Sequence, residues 1–504
     1  MTTPPLHLPA LPKPKIVSRR ATASDSALAR FDAVIVLHNV KGALVNSSLP
    51  SAKTLDAVAT RSGNSQLVSI TLPNKLASTM IAARVAPDAE TFDLDSTCRP
   101  AAVAAVKSGA ERIAVVIDRD TISDHAAVVR SAVATLTIAS YQLPKFTGKR
   151  KPKSATPQIT VFEPAKTSVS ATVASARGNC LARWLTAAPA NLLDAKGYRT
   201  VAETLANQYG WQYQFHSLAK LKRQGAGAFV AVAQGNDNND AGIIQIRHRQ
   251  KGAKRRVALV GKGIIFDTGG TNLKPHGGML NMHIDMGGSA VALASLLALT
   301  EMAAPLDIDV WLAVSENRTG PLAFKPQDVV TSLSGKTIQT IHTDAEGRMV
   351  LADTLTMAGR AKPDAIIDFA TLTGASVTAV TTRYSSIFSN RPALHPVLKR
   401  AGQAAGERVW PFPIGGDFLS LLDSETADIM QCTAAGGGDH ILAATFLNEF
   451  VPTSVPWVHV DLSSCENKGG LGAVDTAITG FGVRFATTLL QDYASDLFKA
   501  KRRS

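Results

Sequence analysis

Short β-branched runs alternate with amphipathic stretches from about residue 21 to residue 155, the pattern of layered α/β structure. FDAVIVLH (31–38), QLVSITL (66–72) and RIAVVID (112–118) predict buried strands, and CRPAAVAAVKSGA (98–110) and DHAAVVRSAVATLTIASYQ (124–142) predict the helices that cover them. A basic stretch with proline and glycine, 143–157, interrupts the alternation. One more strand, QITVFEP (158–164), leads into a helical region over about 168–209 that Pro189 breaks. Past residue 210 the alternation resumes. GIIQIRH, RRVALVG, DIDVWLAV, AIIDFATL and WVHVDL predict strands, with helices in SAVALASLLALTEMAA and MVLADTLTMAGRA between them. The pattern divides the chain into a disordered lead-in (1–20), a smaller α/β domain (21–157), a strand with a connecting helical region (158–209), a larger α/β domain (210–495) and a basic tail (496–504).

A chain of 504 residues with 45% apolar content supports more than one core. No apolar run reaches the length of a bilayer span, since the best candidate, from residue 289, is cut by Glu301 and Pro305. The prolines before residue 20 exclude a secretory signal helix. Cys98, Cys180, Cys432 and Cys465 lie far apart without a CxxC pair, which argues against a disulfide framework or a thiolate zinc site and suits a reducing cytoplasm. The net charge of +13 is concentrated in 13–20, 148–153, 247–256 and 499–504. No aromatic residues interleave with these lysines and arginines, so they read as solvated surface. A nucleic-acid-binding protein on the same fold is the alternative, and it would bind in a salt-sensitive way that survives loss of Asp344.

Candidate chemistry collects at the ends of the later strands, where open α/β sheets place ligands. GKGIIFDTGGTNLKP carries Lys262 and Asp267 ahead of Gly269-Gly270. It matches neither a P-loop nor a Rossmann fingerprint, because Lys262 precedes glycine and no helix pattern follows. Asp285 precedes a helix, and Asp344 and Glu346 stand at i, i+2, on one side of an extended segment. Four carboxylates in an apolar domain repel unless cations sit among them, and oxygen donors without His or Cys clusters suit divalent metals, two of which a shared carboxylate set holds roughly 3.5–4 Å apart. Lys262 would join such a shell as the neutral amine. A plain Lys262–Asp267 salt bridge and a helix-capping Asp285 stay open on spacing alone.

The segments VGKGIIFDTGG, LKP, DMGG, SENRTG, TDAEGRMVLAD and ATLTGA resemble, in that order, the catalytic domain of the leucyl (cytosol) aminopeptidase family from about 260 to 375. The resemblance implies two α/β domains, the larger one catalytic and built on a mixed central sheet flanked by helices. It implies two divalent ions, zinc or manganese with magnesium or cobalt as substitutes, held by Lys262, Asp267, Asp285, Asp344 and Glu346. Asp267 and Glu346 would bridge them, Lys262 and Asp285 would complete one site, and the Asp344 carboxylate and main-chain oxygen the other. Lys274 matches the lysine that binds the substrate carbonyl, and Arg348 the arginine that anchors a bicarbonate general base. Met282, Thr371, Leu372 and Gly374 match the pocket for the first side chain, an apolar lining suited to leucine or methionine, although each also suits ordinary core. The function so implied is release of N-terminal residues from short peptides by a metal-bridging hydroxide, in a cytoplasmic homohexamer built as a dimer of trimers. His342 and His283 depart from the family pattern, which has Asn and a basic Lys or Arg there, and DLSSCENKGG (461–470) matches poorly, so the later pocket wall is not carried over.

Overall fold

The computed structural model describes residues 7–20, 23–39, 51–62, 67–118, 122–147, 156–435 and 437–500. Six strands build the first sheet: β1 (Ile16–Arg19), β2 (Ala33–Asn39), β3 (Leu67–Thr71), β4 (Thr79–Val85), β5 (Arg112–Ile117) and β6 (Gln158–Phe162). Their order is β1-β6-β5-β2-β4-β3, parallel throughout except where β3 meets β4. Central strands of such a sheet are covered on both faces, which is why β2 is an unbroken apolar run in place of an alternation. The helices Thr91–Lys107 and His125–Ala139 close one face through Leu94, Cys98, Val129 and Val133.

The lead-in expected to be disordered is partly structured. Its residues 16–19 form edge strand β1, parallel to β6, and Arg177 Nη1 donates to the Leu11 and Pro12 carbonyls at 2.9 Å each. The prolines hid this strand, although an edge position spares a proline-rich approach the loss of ladder bonds.

The later strands are β7 (Gln212–Ser217), β8 (Gly242–His248), β9 (Arg256–Asp267), β10 (Asp307–Asn317), β11 (Val329–Thr331), β12 (Thr337–Gln339), β13 (Ala365–Ala370), β14 (Ser385–Ser389), β15 (Val409–Pro411), β16 (Ile429–Met430) and β17 (Trp457–Asp461). Eight of them form one mixed sheet in the order β15-β14-β17-β13-β9-β10-β8-β7, and β11-β12-β16 form a small separate one. The four central strands, β17, β13, β9 and β10, run parallel, so their carboxyl ends open on one side.

The helices Ser170–Ala187 and Ala195–Tyr209, parted at Pro189, link the two halves of the chain. A buried ion pair also joins them: Asp95, on the helix Thr91–Lys107, meets Arg484 at 2.5 Å. The helix Gly287–Glu301 is apolar all round because it runs between Ser170–Ala187 and the sheet. With the turn before it, Met282–Glu301 is long and apolar enough to cross a bilayer, which corrects the expectation that no such run exists; 83% of its apolar window is buried inside the protein. This is a core helix.

Candidate metal centre

All of the metal, catalytic and pocket residues expected from the sequence line one cavity of about 890 Å³ at the carboxyl ends of the central strands. β9 delivers two of them. It runs on past the expected end at Gly261, so Lys262 lies within the strand and Asp267 ends it. The turn after it requires glycine: Gly269 and Gly270 have φ of 85° and 64°, and a Cβ on Gly269 would sit 2.4 Å from the Asn272 carbonyl oxygen. That tight turn brings Lys274 back over the strand end, where its Nζ lies 2.9 Å from Asp267 Oδ2 and 2.5 Å from Asp344 Oδ1.

Asp285 does not cap the helix that follows it. It belongs to the 3-10 turn Met282–Met286, its Oδ1 accepts from Thr371 Oγ1 at 2.8 Å, and its Oδ2 lies 2.8 Å from Lys262 Nζ. Lys262 therefore does not pair with Asp267. Its Nζ also reaches Glu346 Oε1 at 2.9 Å and donates to the Thr371 carbonyl at 2.8 Å.

Asp344 and Glu346 do not sit on an extended segment, as their spacing suggested. Residues 343–345 form a 3-10 turn and Glu346 opens the helix Glu346–Arg360. His342 Nδ1 accepts the Asp344 amide at 3.2 Å and so holds that turn. Asp267, Asp344 and Glu346 each bring a carboxylate oxygen within 4.8 Å of the others, and Asp285 joins them from the far side of Lys262.

The electrostatics are those of a crowded anionic site. Burial works against the charge on Lys262, but Asp285, Glu346 and Asp267 outweigh it and raise its pKa. Burial likewise opposes charge on Lys274, and Asp267 with Asp344 raises it. Burial lifts the Asp285 carboxyl well above the ordinary range, and burial with the Asp267 charge pushes Asp344 up to about 7. These carboxyl groups favour the ammonium form of Lys262, and the neutral amine expected of it belongs to a site with divalent cations beside it. Four carboxyl groups here share two lysines at 2.5–2.9 Å, and two of the four, Asp285 and Asp344, resist ionisation in that arrangement. A crowded set of oxygen donors whose ionisation an added cation would favour fits hard or borderline divalent metals.

Arg348 lies in the first turn of Glu346–Arg360 and is 1% exposed. Its Nη1 donates to the Gln431 carbonyl at 3.2 Å and its Nη2 to Asp439 Oδ2 at 2.7 Å. The guanidinium expected to hold bicarbonate thus already meets a carboxylate.

Several residues of the site escaped the sequence reading. Asn317, at the end of β10, donates from Nδ2 to Asp267 Oδ1 at 2.8 Å, to the Thr343 carbonyl at 3.1 Å and to Glu346 Oε2 at 3.3 Å, and so orients the Asp267 and Glu346 carboxylates. Its signal was present in SENRTG, yet a lone amide carries no ligand pattern. Asp461 ends β17 and accepts from Thr373 Oγ1 at 2.7 Å, fixing the loop that carries Thr371 and Leu372. Asp439 and Glu466 also line the cavity.

Comparison with known proteins adds the following. Residues 180–487 match the model of the cytosol aminopeptidase family, catalytic domain. A probable cytosol aminopeptidase of Synechococcus sp. (strain CC9902) is 37% identical over 406 residues, covering 79% of this chain and 82% of that protein. One of Syntrophotalea carbinolica is 37% identical over 373 residues, covering 72% and 75%. A tomato leucine aminopeptidase mutant superimposes with a TM-score of 0.83 at 25% identity, over 96% of this chain and 98% of that one. The bottromycin maturation enzyme BotP in complex with Mn superimposes with a TM-score of 0.80 at 29% identity, over 92% and 99%.

Proposed function

The chain belongs to the cytosol aminopeptidase family and is a metallo-aminopeptidase, and we propose that it works with two divalent cations to release N-terminal residues from short peptides. The observation that carries the dinuclear reading is the convergence of four carboxyl groups, Asp267, Asp285, Asp344 and Glu346, on two lysines, Lys262 and Lys274. Asp267 and Glu346 would be shared between the cations, Asp285 and Lys262 would serve one of them, and Asp344 the other. When bound, such a pair supplies Lewis acidity and lowers the pKa of a water molecule between them.

The remaining roles fall to the protein. Lys262 must give up its proton to become a ligand, and nearby divalent charge favours that loss. Lys274, displaced from Asp267 and Asp344, would donate to the oxyanion that forms on the scissile carbonyl. Arg348 would hold the bicarbonate that accepts the water proton, at the position where the Asp439 carboxylate now pairs with it. Met282, Thr371, Leu372 and Gly374 would receive an aliphatic first side chain such as that of leucine. Zinc or manganese as the working metals, with cobalt or magnesium as substitutes, a cytoplasmic location, a homohexameric dimer of trimers and the division into units 21–157 and 210–495 belong to the same proposal. The nucleic-acid alternative lacks support: in the basic stretch 247–256, Arg249 pairs with Asp309 at 2.6 Å and Arg255 with Asp364 at 2.7 Å.

The test is turnover of a leucyl coumarylamide. Exhaustive chelation is expected to abolish it, and zinc, manganese, cobalt or magnesium added one at a time should restore it to different extents. Full activity after chelation, with no metal left on the protein, would contradict the proposal.

A further inference from the structure

Among the described residues lining the cavity, Glu466 is the one charged side chain that no hydrogen bond or ion pair engages. Lys262 and Lys274 face the metal-centre carboxylates, Arg348 faces Asp439, and Asp461 accepts from Thr373. Glu466 is half-buried, and its charge bears on the imidazole of His283, which burial holds below its ordinary range, without a hydrogen bond or ion pair to fix the carboxylate.

Its position is fixed. Glu466 forms an antiparallel bridge with Ile478, the Thr479 amide donates to the Cys465 carbonyl at 3.0 Å, and the Asn467 amide donates to the Ala477 carbonyl at 2.8 Å. Thr382 Oγ1, which also lines the cavity, donates to Asn467 Oδ1 at 2.7 Å and ties the same segment down. Glu466 is also close to the chemistry. Burial pushes the adjacent Cys465 thiol up to about 12, and the charges of both Glu466 and Asp285 bear on it. A Cβ placed on Gly287 would touch Cys465 Sγ at 2.7 Å and Thr371 Cγ2 at 3.5 Å, so Cys465 and the pocket residue Thr371 both pack against Gly287.

We infer that Glu466 is a specificity residue of the first-side-chain pocket and selects peptides whose N-terminal residue ends in a cation, lysine or arginine, beside the aliphatic class. The inference rests on the aminopeptidase reading above. Met282, Ile284 and Leu372 offer apolar surface to the methylene stem of such a side chain, and Glu466 offers an acceptor to its head. An arginine fork or an ammonium there replaces the water that Glu466 has partly lost, and a leucine does not.

The experiment compares kcat/KM of the full-length, metal-loaded enzyme on arginyl, citrullinyl, lysyl and leucyl coumarylamides, in wild type and in Glu466→Gln. Citrulline keeps the shape of arginine without its charge. The wild type is expected to favour arginyl over citrullinyl by about tenfold or more, and Glu466→Gln to bring that ratio close to one. A wild-type ratio near one overturns the inference without recourse to any variant. A variant that lowers all four substrates equally also overturns it, because Glu466 then serves the shared α-amine or the fold. No turnover of any of the four would instead overturn the aminopeptidase reading, and the inference with it.

Discussion

Glu346→Ala is expected to lower turnover of a leucyl substrate by roughly a thousandfold or more while the protein stays folded. Glu346 is the residue on which the two halves of the centre meet: Oε1 lies 2.9 Å from Lys262 Nζ, and it shares the tight oxygen cluster with Asp267 and Asp344. In the proposed centre neither cation would keep its full ligand set without it. The fold is expected to tolerate the loss, because burial first and then neighbouring carboxyls, Glu346 among them, raise Asp285 and Asp344, and removing Glu346 relieves that part of the strain. Lys262 keeps Asp285 at 2.8 Å and the Thr371 carbonyl at 2.8 Å. Thermal melts alongside steady-state kinetics separate the two effects, and activity within tenfold of wild type would detach Glu346 from the chemistry.

Gly288→Val is expected to have the opposite profile, with loss of the folded protein itself. Gly288 stands at the start of the core helix Gly287–Glu301, pressed onto β13. A Cβ there would lie 2.1 Å from the Phe369 carbonyl oxygen, 2.7 Å from its carbon and 3.0 Å from Ala370 Cα, all of them backbone of a central strand. Backbone in a sheet cannot turn aside as a side chain does, so the cost is about 4 kcal/mol or more, a large share of a domain's stability. Soluble yield and melting temperature measure it. Gly277→Ala, where an added Cβ meets nothing within 4 Å, is the control and should leave both unchanged. Equal behaviour of the two variants would show that the helix does not press on the strand at Gly288.

The particular elements explain what could be read from the chain. β2, β5 and β9 were legible because strands buried on both faces are continuous apolar runs. β7, QYQFHS, was not, since an edge strand with exposed alternate positions lacks that run. β14, SSIFS, hides for another reason: its serines are buried and find partners, such as Ser389 Oγ donating to the Trp457 carbonyl at 2.7 Å, so polar residues sit where the pattern expects apolar ones. β1 lay behind prolines.

The site divides in the same way. Lys262, Asp267, Asp285, Asp344 and Glu346 stand out because charge in an apolar domain is costly and asks for a reason. Asn317, Asp439 and Glu466 share the cavity or its support without any spacing that marks them, and their roles appear only once β10, the helix Asp439–Asn448 and the segment after β17 converge. Even for Asp344 and Glu346 the spacing misled about the backbone, since a 3-10 turn and a helix start bring them together where a strand was expected.

Metal content measures directly whether two cations sit among these carboxylates. The purified chain, stripped with chelator, dialysed against saturating manganese or zinc and then freed of unbound ions, is analysed by elemental mass spectrometry against protein concentration. Two equivalents per chain in the wild type are predicted, with fewer in Glu346→Ala. One equivalent or none in the saturated wild type would contradict the dinuclear centre.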